Sequence, residues 1–250
     1  VGEHDDRPRR RPPGQRPVLE RVEGGRGGAG VDVGVVEQAE AGLLGREHRM
    51  YDEKYWGSRV MAPSCILFYL GFDTRLPNLR HHNLFFDESL DQHAFEIYDE
   101  PQWPTKPLLY TSCSSLTDPS VAPPGHENVV VLIPIAPGLT DTPEVREHYL
   151  EIALDRLARH SGVKVREHLV VRESYCINDL KKDYNSFRGN AYGLANTLRQ
   201  TAVWKPRMKS VKVKGLYFTG QLTAPGPGVP PTLISGQVVA DLAHKEYMDQ

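Results

Sequence analysis

The residue types best suited to ligand chemistry lie near the C-terminus, in the run Tyr217-Phe-Thr-Gly-Gln-Leu-Thr-Ala-Pro-Gly-Pro-Gly-Val-Pro-Pro. Within it Gly220, Gln221, Gly226, Gly228, Val229 and Pro230 are the candidate contacts. Glycines at 226 and 228 let backbone approach a ligand closely, because no Cβ stands in the way. Pro230 and Pro231 hold φ near the helical value and suit the first turn of a helix. A helix opening at about Thr232 would point unpaired N–H groups and a positive dipole end beyond its start. Tyr217 and Phe218 make residues 212–220 read as a strand ending at Gly220. Strand, Gly-rich turn and helix start together suit an anion or an electron-rich ring. An ordinary βα connection, with Gly and Pro only as turn formers, fits the same spacing.

The elements that must position this turn are mixed in type. Residues 64–71 form a compact apolar run between Pro63 and Gly71, read as a buried strand. Residues 84–86 suggest a second short strand, with Asp87 as N-cap of a helix through Ser89, Ala94 and Ile97. Residues 107–113 and 128–135 read as two strands that pair antiparallel. Thr142-Pro143 starts the clearest helix, whose apolar stripe is Val145, Tyr149, Ile152, Ala153 and Leu157 and whose stop is Gly162. Residues 163–175 read as strand. The last helix offers Leu233, Val239, Leu242 and Ala243 to a core. This is a mixed α/β pattern with an antiparallel middle and one terminal βα unit.

Other constellations carry little chemistry. His81 and His82 are adjacent rather than i, i+4, so they cannot share one helical face. Glu144, Glu147 and His148 do not form H-E-x-x-H and read as the polar face of a helix. Thr111-Ser-Cys-Ser-Ser115 lacks the G-x-S-x-G elbow. Asp179, Lys181, Lys182 and Asp183 read as a solvated turn. Lys205, Arg207, Lys209, Lys212 and Lys214 make a basic run that suits a solvated edge or anionic lipid headgroups. The formal charge of −2 gives no electrostatic case for nucleic acid. Three widely spaced cysteines fit neither a disulfide framework nor a metal site, and reduced cytosolic thiols are the expectation. No apolar run reaches the roughly 20 residues needed to span a bilayer.

Residues 1–46 differ from the rest: they contain no Lys, Ser, Thr, Asn, Ile, Phe, Tyr, Trp or Cys. They read as a disordered tail or as a wrong-frame translation of GC-rich coding sequence, contributing nothing to folding. Gly25-Arg-Gly-Gly-Ala-Gly30 satisfies G-x-G-x-x-G literally, but no buried strand precedes it and no helical stripe follows. It is rejected as a cofactor site.

The C-terminal run, through Thr232-Leu-Ile-Ser-Gly236, resembles the flavin-contacting signature of bacterial and archaeal phytoene desaturases, carotenoid desaturases of the flavin amine-oxidase-like superfamily. Further segments resemble the family in order: Tyr51-Asp-Glu-Lys-Tyr-Trp56, Ala62-Pro-Ser-Cys-Ile-Leu-Phe-Tyr-Leu-Gly71, His82-Asn-Leu-Phe-Phe-Asp87, Thr117-Asp-Pro-Ser-Val-Ala-Pro-Pro-Gly125 and Arg188-Gly-Asn-Ala-Tyr-Gly193. Together they cover roughly residues 47–245 and match the C-terminal part of the family only. The resemblance implies a part of an FAD/NAD(P)-binding two-domain flavoprotein. Residues 47–208 would be a portion of the carotenoid substrate domain, with an antiparallel or mixed sheet. Residues 209–250 would be the C-terminal strand-loop-helix of the FAD-binding domain. The family's main βαβ unit for FAD is expected to be missing.

What the resemblance implies functionally is FAD-dependent removal of hydrogens from a C40 polyene such as phytoene, at a membrane surface and on the cytoplasmic side. Gly220 and Gln221 would approach the ribityl chain, and Gly228, Val229 and Pro230 would present backbone to the ring. Gln221 departs from the acidic residue common in the wider superfamily. The 188–193 loop would lie near the ring or the tunnel mouth. Phe68, Tyr69, Leu84 and Phe85 are candidate polyene-facing residues, though each also suits ordinary core packing. No catalytic acid or base is identified, and no metal is implied. The alternatives are a 3,4-desaturase, a shorter-chain desaturase, an isomerase, or a non-catalytic α/β membrane-surface or interaction module.

Overall fold

Alternating apolar residues build the sheet. In Glu127–Ile135 every second side chain is buried, among them Val129, Val131, Ile133 and Ile135. This strand, β4, pairs antiparallel along its whole length with β1, Ser64–Phe72, so that Phe68 faces Val131. In the computed structural model, which describes residues 39–248, β2 (His82–Phe85), β3 (Leu109–Ser112) and β5 (Leu169–Tyr175) complete a sheet of order β2-β3-β4-β1-β5. Every neighbouring pair is antiparallel.

Among the described residues five α-helices flank or follow the sheet: α1 (Glu53–Gly57), α2 (Leu90–Tyr98), α3 (Pro143–Ser161), α4 (Ile177–Tyr184) and α5 (Val229–Met248). Helix α3 covers one sheet face. Tyr149, Leu150, Ala153, Leu154 and Leu157 join Ile66, Phe68, Leu70 and Phe72 in the main core. Its ends are as the sequence predicts. Thr142 accepts the Val145 N–H, and Gly162 stops the helix at φ 73°.

A second, smaller core of Trp56, Met61, Leu194, Phe218 and Leu222 lies under the C-terminal turn. It is fed by a strip of backbone pairing beyond the start of β1. Ala195 N–H donates to Val60 O, Ala62 N–H to Gly193 O and Ala191 N–H to Pro63 O.

The mixed class with an antiparallel sheet stands, and several local expectations change. The N-cap of α2 is Ser89, which accepts the Gln92 N–H, and not Asp87. The region 163–175 splits into a short 3-10 turn, Val165–His168, and the strand β5. The solvated turn expected around Asp179 is helix α4. Asp179 accepts the Cys176 N–H, Lys181 and Lys182 sit in the last turn, and Asn185 ends the helix at φ 50°. Acidic Asp179 in the first turn and Lys181 and Lys182 in the last complement the helix dipole, so these charges support a helix. The strand expected to end at Gly220 shrinks to one bridge, Lys209 with Tyr217. A strand needs a neighbouring edge to pair with, and among the described residues the facing segment 208–210, across the turn 211–215, supplies only that bridge. Helix α5 starts at Val229 instead of Thr232, with both prolines in its first turn. Leu233 and Leu242 are 70% and 41% exposed, so they are not core here.

The segment 1–38, including the Gly25–30 run, lies outside the described residues. Within the remainder of the 1–46 stretch, Glu40 is buried and its carboxylate accepts the N–H groups of Met50 and Tyr51. That end of the stretch is therefore tied to the fold.

Arg146 of α3 grips Asp141 through two nitrogens at 2.7 Å each and Asp179 at 2.7 Å, joining α3 to α4. Burial pushes the Asp141 pKa up, but hydrogen bonds from Arg146 and the Asn178 N–H outweigh it and leave the group below the usual carboxylate value. A carboxyl depressed on folding stabilises the fold above its unfolded pKa of about 3.9, and that stability is lost as pH falls through the lower folded value. Asp141→Asn is expected to cost about 2 kcal/mol at neutral pH. It should also flatten the loss of stability below about pH 4. Denaturant midpoints measured across pH check both; parallel acid limbs for variant and parent would contradict the assignment.

Candidate functional site

The C-terminal turn is assembled by hydroxyl groups that the sequence does not advertise. Ser235, on α5, is fully buried. Its Oγ accepts the Gly220 N–H at 3.0 Å and lies 2.9 Å from Thr219 Oγ1 and 2.8 Å from Thr223 Oγ1. Thr223 spends its own proton on Gly220 O at 2.9 Å. The donor count then sets every direction: Thr219 donates to Ser235, and Ser235 donates to Thr223. All the polar atoms of this knot are satisfied, and it holds the 219–223 turn against the helix. A serine one residue before Gly236, at the interior of an apolar helix start, was the available signal.

The candidate contacts fall into three environments. Gly220 adopts φ 104° and would carry a Cβ into open space, with no atom within 4 Å. Gln221 is half-buried and packs on Gly193, whose Cβ position lies 3.4 Å from Gln221 Cγ and 2.9 Å from Leu222 Cδ2. The 188–193 loop is thus brought beneath residues 221–222, where two glycine-bearing segments meet. Asn190 shapes this loop by accepting the Gly193 N–H at 2.6 Å while donating to Phe187 O at 2.6 Å. Gln200 anchors the segment that follows, accepting the Val60 N–H at 3.0 Å and donating to Val60 O at 2.8 Å.

Gly226 is a second environment. It is buried at φ 133°, and the space its Cβ would take is filled by Lys205, with Cε at 3.1 Å and Nζ at 3.4 Å. Its bareness serves a neighbouring side chain. Gly228, Val229 and Pro230 form the third, an exposed helix start in which Gly228 adopts φ 112° and faces only the Pro231 ring. The expectation of a helix start rich in free N–H groups is corrected here. Pro230 and Pro231 have no N–H, and Thr232 N–H is spent on Gly228 O at 3.0 Å.

The other expected contacts separate. Phe68 is sealed in the main core. Tyr69 is exposed, and Leu84 with Phe85 lines an apolar surface cleft of about 270 Å³ together with Phe86, Leu90 and Tyr98. Burial raises the thiol pKa of Cys65 and of Cys113 to about 11, and that of Cys176 to about 12, so all three are inert packed thiols at neutral pH. Among the described residues no cluster of His, Cys, Asp and Glu suits a metal.

Ser235→Ala removes the centre of the knot and strands the Gly220 N–H. The expected cost is about 1–3 kcal/mol. For a protein of this size that is a fall of roughly 2–4 °C per kcal/mol in melting temperature. Thermal denaturation of the variant checks it, and an unchanged midpoint would show that the turn is held by something else.

No family model matches the sequence. Over 203 residues, 81% of this chain, it is 45% identical to a carotenoid 3,4-desaturase of Haloarcula japonica and covers 41% of that protein. Over 183 residues, 72% of the chain, it is 33% identical to a 4,4'-diaponeurosporene oxygenase of Staphylococcus aureus, covering 37% of it. A solved oxidoreductase from Methanosarcina mazei superposes with a TM-score of 0.46 at 16% identity, covering 84% of this chain and 42% of that one. The chain therefore spans about two fifths of the length of the curated relatives it matches. Over that shared stretch, the chain belongs to the carotenoid desaturase-like family.

Proposed function

We propose that this chain forms part of an FAD-dependent oxidoreductase that modifies a carotenoid polyene. The observation that carries the reading is the bare backbone at Gly220, which opens onto free space beside the seam where the 188–193 loop meets residues 221–222. A flat ring or its ribityl chain can approach a backbone of that kind without meeting a Cβ. Gly220, Gln221, Gly228, Val229 and Pro230 are the residues that would hold the cofactor, and the flavin would supply the acceptor for two hydrogens from a CH–CH bond. The chain's own part is placement: the Ser235 knot fixes the 219–223 turn, and Gln221 offers a neutral amide where an acidic side chain is common.

Desaturation near the polyene end is favoured over oxygenation, since the identity to the 3,4-desaturase exceeds that to the oxygenase. The apolar cleft at Leu84, Phe86, Leu90 and Tyr98 is a surface suited to a hydrocarbon chain. Association with the cytoplasmic face of a membrane fits an oily substrate, and exposed Arg207, Lys212 and Lys214 beside exposed Val203, Trp204 and Val211 support it. No helix among the described residues is long and apolar enough to cross a membrane.

The reaction class is tested by a chimera in which the matched stretch replaces its counterpart in the Haloarcula japonica relative. Incubated with FAD and an acyclic carotenoid in vesicles, the chimera should yield a product with a longer conjugated system. A hydroxylated or carbonyl product would favour oxygenase-like chemistry, and a folded, flavin-loaded but inert chimera would overturn the proposal. Gly228→Val in that chimera should lower the flavin-to-protein ratio more than the melting temperature. A turn-only role would cost about 1–3 kcal/mol of stability and leave the ratio intact.

By itself the 250-residue chain is expected to bind FAD more weakly than about 1 μM, because no parallel βαβ unit with a Gly-rich turn occurs among the described residues. Flavin fluorescence quenching checks this. Tighter binding would show that the pyrophosphate is held by some other device.

A further inference from the structure

Helix α5 begins as if to receive an electron-rich group, yet of its first four residues only Val229 keeps an N–H that is not lost to proline or to an intrahelical bond. Two of its first residues are prolines, and Thr232 N–H is already used by Gly228 O. The dipole remains, but few backbone donors are left to act with it. Three residues before the helix, Gly226 lies against Lys205. That lysine is only 5% exposed, and its Nζ has no hydrogen-bond partner among the described residues. An ammonium carries three donors and no acceptor, so a buried one without partners is far from satisfied. Its stem occupies the space left by the absent Gly226 Cβ, which means that the glycine at 226 admits the lysine to the turn. Lys205 also borders a surface cleft of about 390 Å³, with Val203, Arg207, Lys209, Ala224 and Leu242. Of the other cations there, Lys209 is paired with Glu246 at 2.8 Å.

We propose that Lys205, and not the helix N-terminus, donates the hydrogen bond that holds an electron-rich acceptor of the ligand, a ring carbonyl or ring nitrogen, at the 224–228 turn. This rests on the reading of residues 220–230 as a flavin-ring site and adds the donor that the prolines cannot provide. Burial holds the Lys205 pKa below its ordinary value in the free protein. An acceptor that pairs with the ammonium should bring it back up.

The test titrates the lysine Nζ signals of the 250-residue chain by NMR, with Lys205 assigned by its loss in Lys205→Met. Flavin mononucleotide at millimolar concentration is the probe, and inorganic phosphate at equal concentration is the control. Flavin mononucleotide should raise the Lys205 pKa by about one unit or more, and phosphate should leave it unmoved. Lys205→Met should weaken flavin mononucleotide binding about tenfold, as expected for one charge-assisted hydrogen bond, without lowering the melting temperature. If the flavin shifts the resonances of residues 220–230 while the Lys205 pKa stays put, the lysine assignment fails and the flavin-site reading stands. If the flavin leaves residues 220–230 unmoved, the reading fails and takes the assignment with it. An equal response to phosphate overturns the ring acceptor in favour of a general anion site. A lower melting temperature with unchanged affinity makes Lys205 a structural residue and overturns the proposal.

Discussion

The pairing of residues 60–64 with 189–195 is the constraint from which the C-terminal half takes its shape. Three backbone hydrogen bonds run along this strip, at 2.8 to 3.2 Å, and Ser64 Oγ adds one to Gly189 O at 2.5 Å. The strip continues β1 beyond the sheet, so it transmits the position of a rigid, fully paired strand to an irregular segment. Gly193 lies on it, and only a glycine there leaves room for Leu222. The second core forms around that contact, where Leu194 and Leu222 meet Trp56, Met61 and Phe218. Without the strip, the turn at 219–223 would lack a floor.

Above this floor, polar groups take over from apolar packing. Ser235 sits where an apolar helix face would ordinarily bury a methyl group, and its hydroxyl serves one backbone N–H and two threonines. Buried hydroxyls are tolerated only when every donor and acceptor finds a partner, and this knot meets that condition. The result is a turn held by directional bonds, which suits a site that must keep backbone at a set distance from a ligand. The neighbouring Lys205 shows the opposite state, a buried donor group with nothing to bond. A closed knot and an open donor thus lie against neighbouring parts of the same 219–226 segment.

Much of the frame was legible in the sequence. Alternation marked β1 and β4, and the Thr142-Pro143 start with the Gly162 stop marked α3, because these signals are local and are reinforced by burial on one face. Helix α4 was hidden, since its polar residues balance a dipole and an ion pair with Arg146 from another helix. Tyr217 and Phe218 suggest a final strand, but Phe218 is buried in the second core rather than laid along a ladder. β-propensity reports a fit to a half-buried surface, and here the surface was a cluster of side chains.

The sequence by itself determined the antiparallel α/β class, the positions of the turn glycines and the family resemblance, all of which are properties of residue order and local backbone freedom. A glycine at 220, 226 or 228 can be read as permission for a positive φ, and the structure uses each in that way. What the missing Cβ makes room for was decided only by tertiary structure. At 220 it is open space, at 226 it is Lys205, and at 228 it is the Pro231 ring. The same division holds for Ser235 and Lys205. Both are ordinary residues in the chain, and each becomes distinctive because residues far away in sequence bury it. Burial is a property of the packed whole, and the price of an unpaired donor appears only once water has been excluded from around it.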